Sequence, residues 1–170
     1  MTKQRSEQTL LGEALAGAIA GLVATVPMTL AMLVMQRMLP RREQTTLEPR
    51  RISDDMLQKA DLHDDVSERG KEQVSAAAHF GYGAGVGMIY AMADRFLPLP
   101  RGLRGPVYGM LVWAASYAGW LPAVKTLPPP QRRPAGRNVL LIVSHLVWGA
   151  AAEGMTRLLL GRNRSKVAWR

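Results

Sequence analysis

The chain has 170 residues, a formal net charge of +9 and no cysteine. The lack of cysteine excludes disulfides, thiolate metal sites and cysteine nucleophiles. On a soluble protein this charge would suggest a nucleic-acid partner, but the charges are concentrated in blocks separated by almost uncharged stretches. A soluble domain spreads its charges along amphipathic elements, whereas a bilayer requires such separation because charge at its centre is costly. We therefore predict an all-α integral membrane protein whose partner is the lipid bilayer and not nucleic acid.

Four apolar stretches are each long enough to cross a bilayer as an α-helix, which takes about 20 residues. They predict a four-helix membrane bundle in a single domain, 1–170, with spans at about 10–39, 74–97, 103–124 and 138–160. Lys3 and Arg5 precede the first stretch as in a signal peptide. That apolar run is too long for a signal peptide and Glu13 interrupts its start, so we predict an uncleaved first span.

An interior proline marks the first span. Pro27 has no N–H to donate, so we expect it to kink the helix and leave a carbonyl oxygen free. The hydroxyl of Thr25 or Thr29 could help to satisfy that oxygen. Proline and glycine do not count against these spans, because both are commoner in membrane helices than in soluble ones.

A polar loop, 40–73, separates the first two spans. Within it, Ser53 is followed by two acidic residues, a pattern typical of a helix start with serine as the N-cap. Ile52, Met56, Ala60 and His63 recur at helical spacing. We predict a short amphipathic helix that lies over the mouth of the bundle or continues into the second span. A helix exposed to solvent fits the pattern equally well.

The other connections, at about 98–102 and 128–134, are short and rich in proline. Four spans put both termini on one side of the membrane, and the Lys and Arg residues near the spans then decide the orientation. Ten of them lie on the side of the termini and twelve on the other side, so this rule alone does not decide. The dense basic tail favours both termini in the cytoplasm.

Small residues recur four positions apart in every predicted span. The glycine pairs are Gly17 with Gly21, Gly81 with Gly85, Gly83 with Gly87, and Gly105 with Gly109. Helices in lipid gain little from the hydrophobic effect, so close backbone approach must hold them together. We predict that these glycines pack the helices within one chain. An interface between two copies, or a glycine-lined path, is the alternative.

Ionisable side chains within the spans are the strongest indications of function, because each is expensive in a bilayer. His79 and His145 lie near the starts of the second and fourth spans, on one side of the membrane. At a rise of 1.5 Å per residue, both should lie roughly 8–10 Å below that surface. Glu13, Glu153 and Arg157 lie towards the opposite surface, where the last two, four residues apart, could pair. These five residues form a candidate intramembrane polar site.

Three roles fit these side chains. Two histidines and a carboxylate could bind a divalent metal, but the chain has no clustered ligand motif, so we predict no metal and no cofactor. A His–Glu chain could relay protons. The preferred role is structural hydrogen bonding between helices. The chain lacks a phosphate-binding loop, a nucleophile elbow and a dinucleotide fingerprint, so we predict no catalytic residues and no enzyme activity.

The order of motifs from the second to the fourth span resembles the YagU-like, DUF1440-type family of small bacterial inner-membrane proteins. The motifs are Ala78-His79-Phe80, the glycines, Phe96-Leu97-Pro98, and Ser144-His145-Leu146-Val147-Trp148 followed by Glu153 and Arg157. Thr25-Val26-Pro27-Met28-Thr29 in the first span is similar to a broader set of small bacterial membrane proteins. The resemblance implies an inner-membrane location and a link to acid or envelope stress. It implies no biochemical activity and no site residues.

These observations predict a non-enzymatic accessory or assembly subunit of the bacterial inner membrane. Its glycine-packed helices and basic ends favour a homo-oligomer or a membrane-protein partner. The alternative is a small proton or solute pathway lined by the intramembrane histidines and glutamates.

Overall fold

A computed structural model describes the backbone of residues 2–167 and the side chains of residues 10–161. Within that part the protein is all-α, as predicted, with three short 3₁₀ turns and no strand. The α-helices are α1 (Thr2–Met38), α2 (Glu48–Lys59), α3 (Glu68–Ala93), α4 (Arg104–Trp113), α5 (Leu121–Ala123) and α6 (Ala135–Val167). A π-helix, Ala114–Trp120, joins α4 to α5; we call it the π segment.

Two helices are long and apolar enough to cross a membrane: α1 over Leu10–Met38 and α6 over Ala135–Gly161. The second and third predicted spans do not pass the same test. The π segment divides the third after ten residues of regular α-helix. The second, α3, begins with four charged residues in its first five and has a body rich in glycine and alanine.

The central layer of the bundle is the pair α1 and α6, which pack closely against each other. Helix α3 packs on the other side of α1, and α4 packs on the other side of α6. Helices α3 and α4 are neighbours in the chain, but their backbones rarely come close and they meet mainly through side chains such as Tyr90 and Tyr108. The bundle therefore has a gap between its two outer helices.

Glycines bring α1 and α3 into backbone contact. A Cβ added at Gly17 would lie 2.6 Å from the Gly87 carbonyl oxygen, and one added at Gly87 would lie 2.5 Å from Gly21 Cα. A Cβ at Gly21 would overlap the Gly83 carbonyl oxygen. Any side chain at these positions would push the two helices apart.

The prediction that Gly81 and Gly85 pack against a neighbouring helix is wrong. A Cβ added at either position would meet nothing within 4 Å. Positions two residues apart on an α-helix point in directions about 200° apart. Only one of the two overlapping glycine pairs can therefore face α1, and it is Gly83 with Gly87.

Helices α4 and α6 approach each other in a similar way. A Cβ at Gly105 would overlap the Gly149 carbonyl oxygen, and one at Gly109 would overlap the carbonyl oxygen of His145. Both glycines are buried. This close approach fixes the backbone of α6 at His145.

Helix α1 continues through Pro27 without interruption. Contrary to the sequence-based expectation, neither threonine hydroxyl donates to the carbonyl oxygen four residues before the proline. Thr25 Oγ1 donates to the Gly21 carbonyl oxygen at 2.9 Å, and Thr29 Oγ1 donates to the Thr25 carbonyl oxygen at 2.7 Å. The outward face of the same helix exposes large apolar side chains at Leu15, Ile19, Leu22, Val26, Leu30 and Leu33.

The predicted loop helix is present as α2, but Ser53 is not its N-cap. The helix begins five residues earlier, at Glu48, with Pro49 in its first turn. Proline is well suited to that position because its φ is preset for a helix and its missing N–H would be unbonded there anyway. Ser53 is buried inside the helix, where its hydroxyl donates to the Arg50 carbonyl oxygen at 2.9 Å.

Candidate binding cavity

The gap between α3 and the π segment contains a cavity of about 380 Å³. Helices α1 and α6 form its base, at Met28 and Trp148, and α2 covers one end. Sites for small molecules usually have volumes of about 300–1,000 Å³. The cavity therefore has the size of a small-molecule site, near the lower limit.

The wall of the cavity is mainly apolar. All the residues that line it lie within the described part of the chain, and none of them is Asp, Glu, Lys or Arg. Its deepest side chains include Met28, Leu121 and Trp148, each less than a tenth exposed. At the rim, Val74 and Trp120 are more than a third exposed. The cavity thus continues into the apolar outer surface of the bundle.

His145 brings a polar group to the base of the cavity. Its side chain is buried, and its Nδ1 lies 2.7 Å from the Leu141 carbonyl oxygen. A carbonyl oxygen can only accept, so Nδ1 carries the hydrogen and Nε2 of the neutral ring is an acceptor. The ring also makes an edge contact with Tyr117, with 5.6 Å between centroids.

His79 lines the same cavity from α3. Its Nε2 is buried and has no hydrogen-bond partner among the described residues. Its ring lies edge-on to Phe80, with 5.9 Å between centroids. The two histidines therefore line the same cavity. Each lies about three helical turns from the start of its helix, α3 or α6, which puts them at a similar depth.

Tyr82 and Ser116 connect the two walls of the cavity. Their oxygens lie 2.9 Å apart in a hydrogen bond that joins α3 to the π segment. Ser116 is buried, whereas Tyr82 is 43% exposed at the rim. A hydrogen bond between two hydroxyl groups uses only one of their two hydrogens. The other hydrogen remains available to a third group.

The π segment shapes one wall of the cavity, where Ser116, Tyr117 and Trp120 all face inward. The N–H of Leu121 bonds to the Ser116 carbonyl oxygen, five residues back instead of four. Pro122 supplies the physical cause, because it has no N–H for the ordinary bond and its ring would clash with the carbonyl four residues earlier. Such segments within α-helices occur frequently at functional sites.

Helix α2 closes one end of the cavity with the apolar side chains of Ile52, Met56 and Leu57. Its first turn is fixed by an ion pair between Glu48 and Arg137 of α6, 2.6 Å long and almost fully buried. The same guanidinium donates to the carbonyl oxygens of the preceding loop. The start of α2 is therefore held in place from α6.

The last turn of α2 is fixed at a second point. Lys59 Nζ donates to the Val124 carbonyl oxygen at 2.8 Å, and Thr126 Oγ1 donates to Asp55 Oδ2 at 2.7 Å. The hydrogen bonds from Lys59 and Thr126 lower the pKa of the Asp55 carboxyl below its ordinary value of 3.8. Helix α2 is thus attached at both ends, with the cavity beneath it.

A second, more open depression lies on the other side of α2 and has a volume of about 550 Å³. Four charged residues line it, and three of them, Arg50, Asp54 and Glu68, pair with one another. Arg50 pairs with Asp54 at 2.7 Å and with Glu68 at 2.8 Å. Hydrogen bonds from Lys71 and Arg50 lower the pKa of Glu68. The depression therefore offers less to a ligand than the apolar cavity.

The carboxylates predicted to share a site with the histidines lie elsewhere. Glu153 accepts hydrogen bonds from the backbone N–H of Gly102 at 2.7 Å and of Gly105 at 2.9 Å, and it pairs with Arg157. It therefore satisfies backbone donors at the start of α4, where such donors lack partners within the helix. The pair with Arg157 was expected, but the capping of another helix was not.

Glu13 also lies outside the cavity wall. Its Oε2 is 3.6 Å from Arg95 Nη1, an ion pair between α1 and the turn after α3. The five predicted site residues are thus divided into two groups. The two histidines line the cavity, whereas Glu13, Glu153 and Arg157 form ion pairs at the other end of the bundle. Sequence reasoning missed Tyr82 and Ser116, because a tyrosine near a span end is typical of interfacial anchoring.

Comparison with known families places most of the chain in a described family. The model of the family described as "Protein of unknown function (DUF1440)" matches residues 28–154, a range that contains every residue named above as lining the cavity. No curated protein matches the chain. No solved structure matches it either.

Proposed function

The chain belongs to the DUF1440 family, and we propose that it is a non-enzymatic membrane protein that binds a largely apolar molecule in the cavity between α3 and the π segment. The observation that carries this proposal is the wall itself. It is apolar, open at the rim towards exposed apolar residues, and free of charged side chains. Sites for small molecules typically combine such walls with a few polar groups.

A membrane location is part of the proposal. Two helices have the length and composition of spans, and the outward face of α1 carries a row of exposed apolar side chains. In water such a surface would favour aggregation, whereas in a bilayer it is the ordinary outer face of a span. We further propose that α3 and the run from α4 to α5 cross the bilayer beside them. Both termini would then lie in the cytoplasm of a bacterial cell.

The role that follows is an accessory one. The protein would hold its ligand within the membrane, for a partner or a second copy, without changing it chemically. The polar groups that could form a chain for proton transfer are divided, because Glu153 is engaged in capping α4 and Glu13 in pairing with Arg95. For that reason ligand binding has more support than a proton or solute pathway.

A single tryptophan can report occupancy of the cavity. Trp148 is 2% exposed and lines the base, so a variant with Trp113, Trp120 and Trp169 changed to Phe leaves one reporter that bulk lipid does not touch. The variant is placed in phosphatidylcholine nanodiscs and titrated with a brominated single-chain amphiphile, because bromine quenches indole fluorescence on contact. We expect saturable quenching.

The control is a matched pair of substitutions on α3. Val86→Phe should fill the cavity and remove the saturable quenching, because Val86 lines the wall. Ile89→Phe should leave it unchanged, because Ile89 is 54% exposed and is not a lining residue. Circular dichroism verifies that both variants keep their helix content. Equal, unsaturable quenching in all three proteins would refute the proposed function.

A further inference from the structure

The absence of charge in the cavity restricts the head group of a ligand. None of the lining residues, all within the described part of the chain, is an acid, a lysine or an arginine. Burying an ionised group without a partner is very costly. A fatty acid anion or a phosphate would therefore meet no permanently charged partner on the wall, and the head group that fits best is neutral.

The size of the cavity restricts the tail. The cavity of about 380 Å³ is near the lower limit of the about 300–1,000 Å³ of small-molecule sites. Such a volume favours one chain over the two chains of a phospholipid. The apolar rim at Val74 and Trp120 leads from the outer surface to the base, so a single-chain molecule dissolved in the bilayer has a direct way in.

His145 determines what the head group must supply. Its Nδ1 hydrogen is used by the Leu141 carbonyl oxygen at 2.7 Å, so its Nε2 can only accept. The described residues form no hydrogen bond to that nitrogen, and it keeps some exposure to the cavity, whereas His79 Nε2 is fully buried and unpartnered. An acceptor that an apolar ligand covers loses its hydration, and a ligand that donates a hydrogen removes this cost.

The pair of Tyr82 and Ser116 supplies the complementary group. One of the two hydroxyl hydrogens is used in the 2.9 Å bond between them, and the other is available to an acceptor. The cavity thus offers an acceptor at its base and a donor on its wall, while His79 Nε2 is a further unpartnered atom. A hydroxyl both donates and accepts. A carbonyl or an ether oxygen only accepts and would leave His145 unpaired.

From these four observations we propose that the ligand is a neutral single-chain alcohol taken from the bilayer, whose hydroxyl donates to His145 Nε2 and accepts from the Tyr82–Ser116 pair. This rests on the proposed function, since it specifies the ligand of the same cavity. The carbon chain lies along the apolar wall towards the rim. Specificity comes from the hydrogen that the hydroxyl donates, because a site built around an acceptor rejects analogues that lack the donor.

The test is a series of probes on one protein, whose cavity wall differs from the native one only at Trp120. The variant that retains only Trp148 is titrated in nanodiscs with ω-bromodecanol, ω-bromodecyl methyl ether and ω-bromodecanoate, at a pH where the carboxylate is ionised. Concentrations are corrected for partition into empty nanodiscs. We expect ω-bromodecanol to bind at least about tenfold more tightly than the ether, which corresponds to one hydrogen bond to a buried partner, and the carboxylate to bind more weakly still.

Variants then assign the hydrogen bonds. In His145→Leu the advantage of the alcohol over the ether should vanish while the ether keeps its affinity. His145→Gln, which retains an acceptor, should recover part of the difference. Tyr82→Phe with Ser116→Ala should weaken both the alcohol and the ether, because both accept from the wall. The probe series does not depend on whether these variants fold.

The outcomes separate this inference from the proposed function. If the ether or the carboxylate binds as tightly as the alcohol, the head-group assignment is overturned although the cavity binds apolar molecules. An alcohol preference that survives in His145→Leu overturns the role of His145. If none of the three probes quenches Trp148 saturably, the proposed function fails and this inference fails with it.

Discussion

Arg137 and Glu48 form an ion pair of 2.6 Å in which neither side chain is more than 4% exposed. It joins α6 to the first turn of α2 across 89 positions of the chain. A buried pair adds little net stability compared with an apolar pair, but the loss of one partner leaves an uncompensated charge. The pair therefore fixes the start of α2, and with it the helix that covers one end of the cavity.

The first prediction concerns this pair. Arg137→Met should lower the free energy of unfolding by about 3–5 kcal/mol, because the Glu48 carboxylate would stay buried without a partner. The double variant Arg137→Met with Glu48→Leu should recover most of the loss. Reversible unfolding in mixed micelles, followed by circular dichroism, gives the values. A single variant within about 1 kcal/mol of the parent protein would contradict a structural role for the pair.

The second prediction uses two glycines of α3 that are two residues apart. Gly83→Ala should cost about 1–3 kcal/mol of stability, because the added Cβ would collide with the Thr25 side chain of α1. Gly81→Ala should be neutral or stabilise by up to about 1 kcal/mol, because its Cβ meets nothing and alanine favours the helix. Unfolding midpoints in a fixed detergent distinguish them. Equal effects would mean that α3 presents a different face to α1.

The third prediction tests the membrane location. Leu22 is 45% exposed near the middle of the apolar part of α1, so Leu22→Lys would place a charge at the centre of a bilayer at a cost of about 2.5–3.5 kcal/mol. We expect a clear loss of membrane-integrated protein, measured by resistance to alkaline extraction. Arg41→Lys in the polar loop is the control. If Leu22→Lys integrates and behaves as the parent protein, α1 does not span.

The fourth prediction is a pH dependence of the position of α2. The pKa of Asp55 is lowered by its hydrogen bonds from Lys59 and Thr126, so the folded state favours the ionised carboxylate. The resulting stability is fully present well above pH 3.8 and is lost as the pH falls through the lowered pKa. Exchange of α2 backbone amides, compared between about pH 5 and pH 3 after correction for the intrinsic rate, should show weaker protection at the acid end.

Two variants serve as controls for that experiment. Asp55→Asn removes the titrating group and should lower protection of α2 while reducing its acid sensitivity. Glu68, whose pKa is also lowered, contributes in the same direction through Lys71 and Arg50, so some sensitivity should remain in Asp55→Asn and disappear when Glu68→Gln is added. Unchanged acid sensitivity in the double variant would assign the effect to other groups.

The sequence predicts where the helices lie in the chain, but it does not predict which face of a helix packs against its neighbour. The long uncharged runs of α1 and α6 predict their helices because composition alone carries that information. The glycines of α3 recur with one spacing on two faces, so spacing could not distinguish Gly83 from Gly81. Only the position of α1 decides between them.

The site was partly predictable for related reasons. The helical rise put His79 and His145 at a similar depth, and both line the cavity. No local pattern indicates that Glu153 caps a helix that starts about 50 residues earlier. The π segment had a signal in Pro122, which removes a backbone donor, and the early start of α2 had one in Pro49. Both are effects of proline on the backbone, and hydropathy does not register them.

Hydrogen bonds join α3, with the turn after it, to the helical run that follows at three levels. Arg104 donates to the Asp94 carbonyl oxygen beside the turn, Tyr108 donates to the Val86 carbonyl oxygen further along, and the Tyr82–Ser116 bond lies farthest away. A molecule entering at the rim therefore passes Tyr82 before it reaches the base. We therefore expect association and dissociation rates to depend on Tyr82, and residence at the base on His145, so substitutions could alter exchange kinetics and equilibrium occupancy separately.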